Sequence, residues 1–231
     1  MKKDLIAERK IWRRILAFGF ILLLIASWFF PPLGYFMLFC MLAAMVIGVI
    51  KGRYWCDWLC PRGDFYDIIL SKLSLQKPVP KFFRSVYLRI FMMMVLMTVL
   101  TVKLIPVWGD YYAMGKPFVL VLTVTTIVGI ILGVIFNERI WCMFCPIGTM
   151  ANWLGRGKQL LQISSGCKEC GACAKVCRMQ IIPQNYKTSG VVTDGDCLKC
   201  SYCVKVCPVN ALSFDSDNVS DRMSQKRGLE S

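Results

Sequence analysis

The chain has 231 residues, with 28 Lys and Arg against 14 Asp and Glu, a formal charge of +14, 13 Cys and no His. The absence of histidine excludes histidine-ligated haem, a Rieske centre, a Cys-x-x-Cys-His haem attachment, a Ser-His-Asp triad and histidine-containing zinc sites. With 56% apolar residues and a mean hydropathy of +0.54, the chain is too apolar to be a polar disordered protein. It exceeds the usual globular range and has the composition of a thiol-rich membrane protein.

Four segments are long and apolar enough to cross a hydrocarbon core of about 30 Å: Trp12 to Phe30, Leu33 to Ile50, Val86 to Pro106 and Phe118 to Phe136. The first is expected to be retained rather than cleaved. Trp28, Phe29, Phe30, Pro31 and Pro32 stand where small residues precede a signal-peptidase site. Basic residues crowd the N-terminal arm (Lys2, Lys3, Arg9, Lys10, Arg13, Arg14) and the segment between spans two and three (Lys51, Arg53, Arg62, Lys72, Lys77, Lys81, Arg84), whereas the Val107 to Pro117 loop has only Lys116. The positive-inside rule then predicts a multi-pass protein of the cytoplasmic membrane with both termini in the cytoplasm. Residues 1 to 160 hold 19 basic and 7 acidic side chains. Most of the charge therefore flanks the spans, where lipid headgroups are its ordinary partner, and no nucleic-acid role is expected.

Within the third span, Arg89 and Lys103 are expected to snorkel to the nearer interface; the alternative for Arg89 is a polar pocket for a quinone head group. Met92, Met93, Met94 and Met97 read as lipid-facing or packing residues, and mid-span Cys40 as a small apolar packing residue.

The chain repeats itself. Ile47-Gly48-Val49-Ile50 followed by Arg53-Tyr54-Trp55-Cys56 and Cys60-Pro61-Arg62-Gly63 corresponds to Leu132-Gly133-Val134-Ile135 followed by Arg139-Ile140-Trp141-Cys142 and Cys145-Pro146-Ile147-Gly148, with an offset of 85 residues between Gly48 and Gly133 and again between Cys60 and Cys145. Each half reads as a helical hairpin ending in a basic residue, a Trp, two cysteines and Pro-x-Gly. This predicts parallel repeats about an axis along the membrane normal. Asp64 and Thr149 are expected to cap amphipathic surface helices over Phe65 to Leu75 and Met150 to Ile163. Cys56, Cys60, Cys142 and Cys145 admit three readings: a 4Fe–4S cluster with two ligands from each repeat, a zinc site, or unligated thiols that pack against or shield neighbouring clusters.

The other cysteines are more specific. Cys167-x2-Cys170-x2-Cys173-x3-Cys177 is followed by Cys197-x2-Cys200-x2-Cys203-x3-Cys207-Pro208, the doubled run of a bacterial two-cluster ferredoxin. In that pattern the fourth cysteine of each run serves the other cluster. Cys167, Cys170, Cys173 and Cys207 are therefore assigned to one 4Fe–4S cluster, and Cys197, Cys200, Cys203 and Cys177 to the second. Arg178 departs from the proline that often follows the fourth cysteine, and Ser201 stands where the first run has Gly171. The expected organisation is a four-helix transmembrane domain (1–160), a small α+β ferredoxin domain (161–214) and a flexible tail (215–231).

The two Cys-Pro motifs at the ends of membrane hairpins, followed by this doubled run, resemble the membrane polyferredoxins of the NapH, NosR and CcoG type, with NapH nearest in layout. The resemblance implies electron transfer at the cytoplasmic membrane between the quinol pool and a redox partner, with the eight ferredoxin cysteines and the four Cys-Pro thiols as the residues carried over. The two-residue gap between Cys142 and Cys145 departs from the three residues usual in that family. The residues themselves offer no evident nucleophile or general base, so the chain reads as an electron-transfer subunit of an oxidoreductase rather than a stand-alone enzyme. The alternatives are an accessory metal-reducing protein, a redox sensor, or a structural anchor for another ferredoxin subunit.

Overall fold

The computed structural model describes residues 2–214; the expected tail lies outside them. Helices α1 (Lys2–Phe29), α2 (Tyr35–Lys51), α3 (Tyr54–Trp58) and α4 (Pro61–Ile69) are followed by α5 (Val86–Leu104), α6 (Gly115–Ile135), α7 (Ile140–Phe144) and α8 (Pro146–Leu154). Four stretches are long and apolar enough to span a membrane: Ile11–Phe29, Pro31–Lys51, Val86–Val107 and Gly115–Ile135. Their outer faces are bare hydrocarbon: Phe18, Leu22 and Ile25 on α1, Phe39 and Val46 on α2, Phe91 and Met94 on α5, and Ile127 and Ile131 on α6. A contiguous apolar surface of this kind is stable only against another apolar medium.

The inner faces are closed by small residues. A Cβ at Gly115, in the first turn of α6, would overlap the carbonyl oxygen of Pro31, so α6 begins hard against the Pro31–Gly34 turn between α1 and α2. The buried hydroxyls of Thr125 and Thr126 donate to the carbonyls of Val121 and Leu122 of their own helix, and that of Thr125 also accepts from Arg62 of α4 at 3.2 Å.

The two repeats interlock. Helix α1 packs along α4, whereas α2 packs along α8 of the other repeat, where Gly48 leaves only contact distance to Ala151 and Gly155 abuts Gly52. In the reverse direction Gly129 and Gly133 of α6 receive Tyr66 and Leu70 from the first repeat. This corrects the extent of the expected surface helices. Helix α4 spans Pro61–Ile69 and turns Gly63, Asp64, Tyr66 and Asp67 inward, so its buried face carries two carboxylates. Helix α8 stops at Leu154 and the chain enters a strand at Leu161. Both helices also start earlier than expected. Cys60 and Cys145 occupy the N-cap positions, in extended backbone conformation, with Pro61 and Pro146 in the first helical turn. Proline suits that position because its missing N–H would have no intrahelical partner there. Asp64 and Thr149 are thereby moved into the helices, where their N–H groups bond to the carbonyls of Cys60 and Cys145.

After α8 the chain forms a small unit of β1 (Leu161–Ile163), α9 (Ala172–Lys175), β2 (Val191–Val192), α10 (Tyr202–Val206) and β3 (Leu212–Ser213). The strands run β2-β1-β3, antiparallel, with Gln162 paired to both Val191 and Ser213. Its halves are related at an offset of 30 residues. Glu169, Gly171 and Gln180 have positive φ, and so do Lys199, Ser201 and Asn210. One hydrophobic core runs through both parts of the protein, joining Tyr66, Ile140, Trp141 and Met143 to Leu161, Ile163, Met179 and Val192. The small unit is thus seated on the ends of the spans rather than tethered to them.

Candidate functional site

The Cys-Pro thiols are positioned by two short helices in equivalent settings. Cys56 and Cys142 are each the third residue of a five-residue helix, α3 and α7, each preceded by a buried Trp (Trp55, Trp141). The unequal spacing of the two pairs is absorbed locally. The N–H of Cys60 reaches back five residues to the carbonyl of Trp55, whereas that of Cys145 reaches back four to Trp141. The extra residue makes one wider turn, and both second cysteines arrive at a helix N-terminus. Cys56, Cys60, Cys142 and Cys145 together line one cavity of about 90 Å³, several times the space that holds a single water. Cys40 and apolar residues of α1, α2 and α6 line the same cavity, so Cys40 faces this space.

Two fully buried arginines cross between the repeats at this point. Arg139 donates to the carbonyl oxygen of Cys56 at 2.7 Å, and Arg53 donates to that of Cys142. Glycines make room for each: a Cβ at Gly63 would stand 2.8 Å from Arg139 and one at Gly148 2.9 Å from Arg53. Arg139 is also held by Asp67 (2.6 Å) and Asp57 (3.5 Å), and Arg53 by Asp196 (2.8 Å). Burial pushes the Cys56 thiol up to about 11, with Arg53 opposing that rise and Cys142 and Cys145 adding to it. The Cys60 thiol is also pushed up, by burial first and then by Cys56, Cys142 and Cys145. Without a bound group these two sulfurs are neutral thiols at pH 7.

In the small unit, Cys177, Cys197, Cys200 and Cys203 line a second cavity of about 30 Å³. Burial raises the Cys203 thiol, and the nearness of Cys200, Cys197 and Cys177 raises it further. The fourth cysteine of the first run thus stands with the first three of the second. Cys173 and Cys167 neighbour one another, Cys170 is exposed, and Cys207 is half-buried beyond α10. The N–H of Ile181 points at Cys177 Sγ (3.4 Å) and that of Ala211 at Cys207 Sγ (3.3 Å), equivalent bonds 30 residues apart that favour ionised sulfur. Among the described residues, no three Cys, Asp or Glu side chains are drawn together closely enough to hold a single metal ion. The thiols line spaces instead of converging on a point, as four ligands about 2.3 Å from one zinc must do.

The sequence reading missed the charges that join these sets. Arg89 does not snorkel: it is buried and paired to Asp196 at 2.6 Å. Arg178, noted only as a departure from proline, pairs with Asp67 and lies 4.6 Å over the Tyr202 ring. Arg13, read as part of the basic arm, bonds to Asp64 (2.5 Å), Asp67 and the Tyr202 hydroxyl. Lys199 reaches the carbonyls of Lys158 and Gln159. The available signal was the repeat itself, since Arg53 and Arg139 precede Trp-Cys in both halves.

Comparison with known proteins accords with this layout. Residues 33–80 and again 118–164 match the family model of a 4Fe-4S binding domain, one match for each repeat, and residues 166–211 match that of a 4Fe-4S dicluster domain. Two uncharacterized proteins of Methanocaldococcus jannaschii are similar. One is 25% identical over 178 residues, covering 74% of this chain and 68% of its own. The other is 24% identical over 188 residues, covering 74% and 75%. No solved structure matches. By its domain matches the chain is an iron–sulfur protein of the 4Fe–4S type.

Proposed function

We propose that this protein is a membrane-anchored electron-transfer subunit that relays electrons between the quinone pool or a cytoplasmic donor and a partner redox protein, as the NapH-type polyferredoxins it resembles imply. In this reading it lies in the cytoplasmic membrane with both termini inside and holds three 4Fe–4S clusters. Cys167, Cys170, Cys173 and Cys207 hold the outermost, Cys177, Cys197, Cys200 and Cys203 the middle one, and Cys56, Cys60, Cys142 and Cys145 the one beside the membrane.

The observation that carries the reading is the meeting of four thiols from both repeats in one cavity, one of whose lining residues, Arg53, pairs with Asp196 beside Cys197 of the middle set. Burial and the carboxylate of Asp57, next to Cys56, together raise the thiol of Cys200. Local buried charge supports it further. Arg53 and Arg89 share the single carboxylate of Asp196, and Arg53 also donates to the carbonyl of Cys142. Four thiolates around an iron–sulfur core are net anionic and would answer the charge left over beside them, which is costly to leave unmatched inside a protein.

Bound clusters of this type supply single-electron transfer with no bond made or broken. The chain's own residues supply the rest. Trp55, Trp141 and Phe144 exclude water, the helix starts at Cys60 and Cys145 direct N–H groups toward the sulfurs, and the shared core fixes the sites relative to one another. The test is iron and acid-labile sulfide per chain in anaerobically purified, detergent-solubilised protein. About twelve of each is expected for three clusters, and about eight would remove the membrane-proximal one.

A further inference from the structure

The two arginines at the repeat interface each do two things at once. Arg139 touches the membrane-proximal set through the carbonyl of Cys56 and lies 3.9 Å from Cys142 Sγ. Its other side meets Asp67, which also binds Arg178, the residue next to Cys177. Arg53 touches the carbonyl of Cys142, and its other side meets Asp196, the residue next to Cys197. Two buried bridges therefore run from the membrane-proximal thiols to two cysteines of the middle set, one from each repeat.

We propose that Arg53 and Arg139 are positioning residues that lock the membrane-proximal centre to the middle centre and set how readily the former takes an electron. The proposal rests on the third cluster of the preceding section. Reduction adds one electron to a centre that four thiolates already make anionic, so a guanidinium in contact with it stabilises the reduced form more than the oxidised one. The two bridges differ in charge. Arg53 and Arg89 share the single carboxylate of Asp196, leaving one positive charge over, while Arg13, Arg139 and Arg178 are matched by Asp57, Asp64 and Asp67.

Removing each charge of the Arg53–Asp196 pair in turn gives the test opposite signs. The full-length protein, solubilised in detergent, is titrated anaerobically with dithionite and redox mediators while the reduced centres are followed by electron paramagnetic resonance. Arg53→Gln is expected to shift the reduction equilibrium of the membrane-proximal centre at least tenfold toward the oxidised form, about 59 mV for one electron. Asp196→Asn, which keeps the shape but removes the counter-charge, is expected to shift it the other way. Arg53→Lys restores the charge and much of the equilibrium while loosening the magnetic interaction between the two reduced centres. Equilibria that stay put in both variants, or that move in the same direction, overturn the proposal. If Arg53→Gln loses iron, the nearly isosteric Asp196→Asn decides by itself: a shift toward the reduced form supports the proposal and no shift refutes it. A wild-type protein with about eight iron atoms refutes the reading beneath it instead.

Discussion

Asp67 is the strongest single test of the charge network. Its buried carboxylate accepts from Arg13, Arg139 and Arg178, one from the first span, one from the second repeat and one from the ferredoxin-like unit. Asp67→Asn preserves volume and removes the charge, leaving three guanidiniums to Asp57 and Asp64. Breaking a buried ion pair from one side costs about 3–5 kcal/mol, because the surviving charge is stranded. At about 2–4 °C per kcal/mol for a chain of this size, the unfolding midpoint should fall by about 6–20 °C. The assay is thermal unfolding in one detergent at fixed scan rate, followed by tryptophan fluorescence on protein of matched iron content. Glu169→Gln is the control: its pair with Lys187 is largely open to solvent, so its loss should leave the midpoint unmoved. If Asp67→Asn shifts the midpoint no more than Glu169→Gln, the three arginines are not held by this carboxylate and the seating of the small unit must rest on apolar contact alone.

Two further outcomes follow from local geometry and titration. Ser201 has a φ of +64° and Gly171, its counterpart, +76°; a Cβ in that region costs about 1 kcal/mol, so Ser201→Gly should raise the midpoint by a few degrees and Gly171→Ala should lower it by a similar amount, both read by the same melt. The Cys56 thiol, pushed up to about 11 by burial, has a folded value above its unfolded one. In cluster-free protein its contribution to stability is therefore whole below about pH 8.5 and lost as pH rises through about 11. Melts of chelator-stripped protein should weaken over that window, and melts of the loaded protein, whose thiols have already given up their protons, should weaken less.

The parts of this protein that depend on local spacing were legible in its sequence. About twenty consecutive apolar residues need no tertiary partner to be recognised as a span, and the limits of all four agree with the structure to within a few residues. The doubled cysteine run declares its chemistry in the same way, because three sulfurs each separated by two residues already wrap three corners of one cluster. The Arg-x-Trp-Cys repeat announced two equivalent halves. Tertiary structure decided what those halves do to each other. Nothing local to Arg89 distinguishes a side chain that snorkels from one that pairs with Asp196, 107 residues away. Asp64 is the better cap by sequence, but Cys60 holds that place because Pro61 starts the helix earlier and Arg13 claims the Asp64 carboxylate. Likewise Arg178 is a departure from a motif until Asp67 stands opposite it. Each of these depends on the free energy of burying a charge, which is set by the partner that long-range packing supplies and not by the neighbours along the chain.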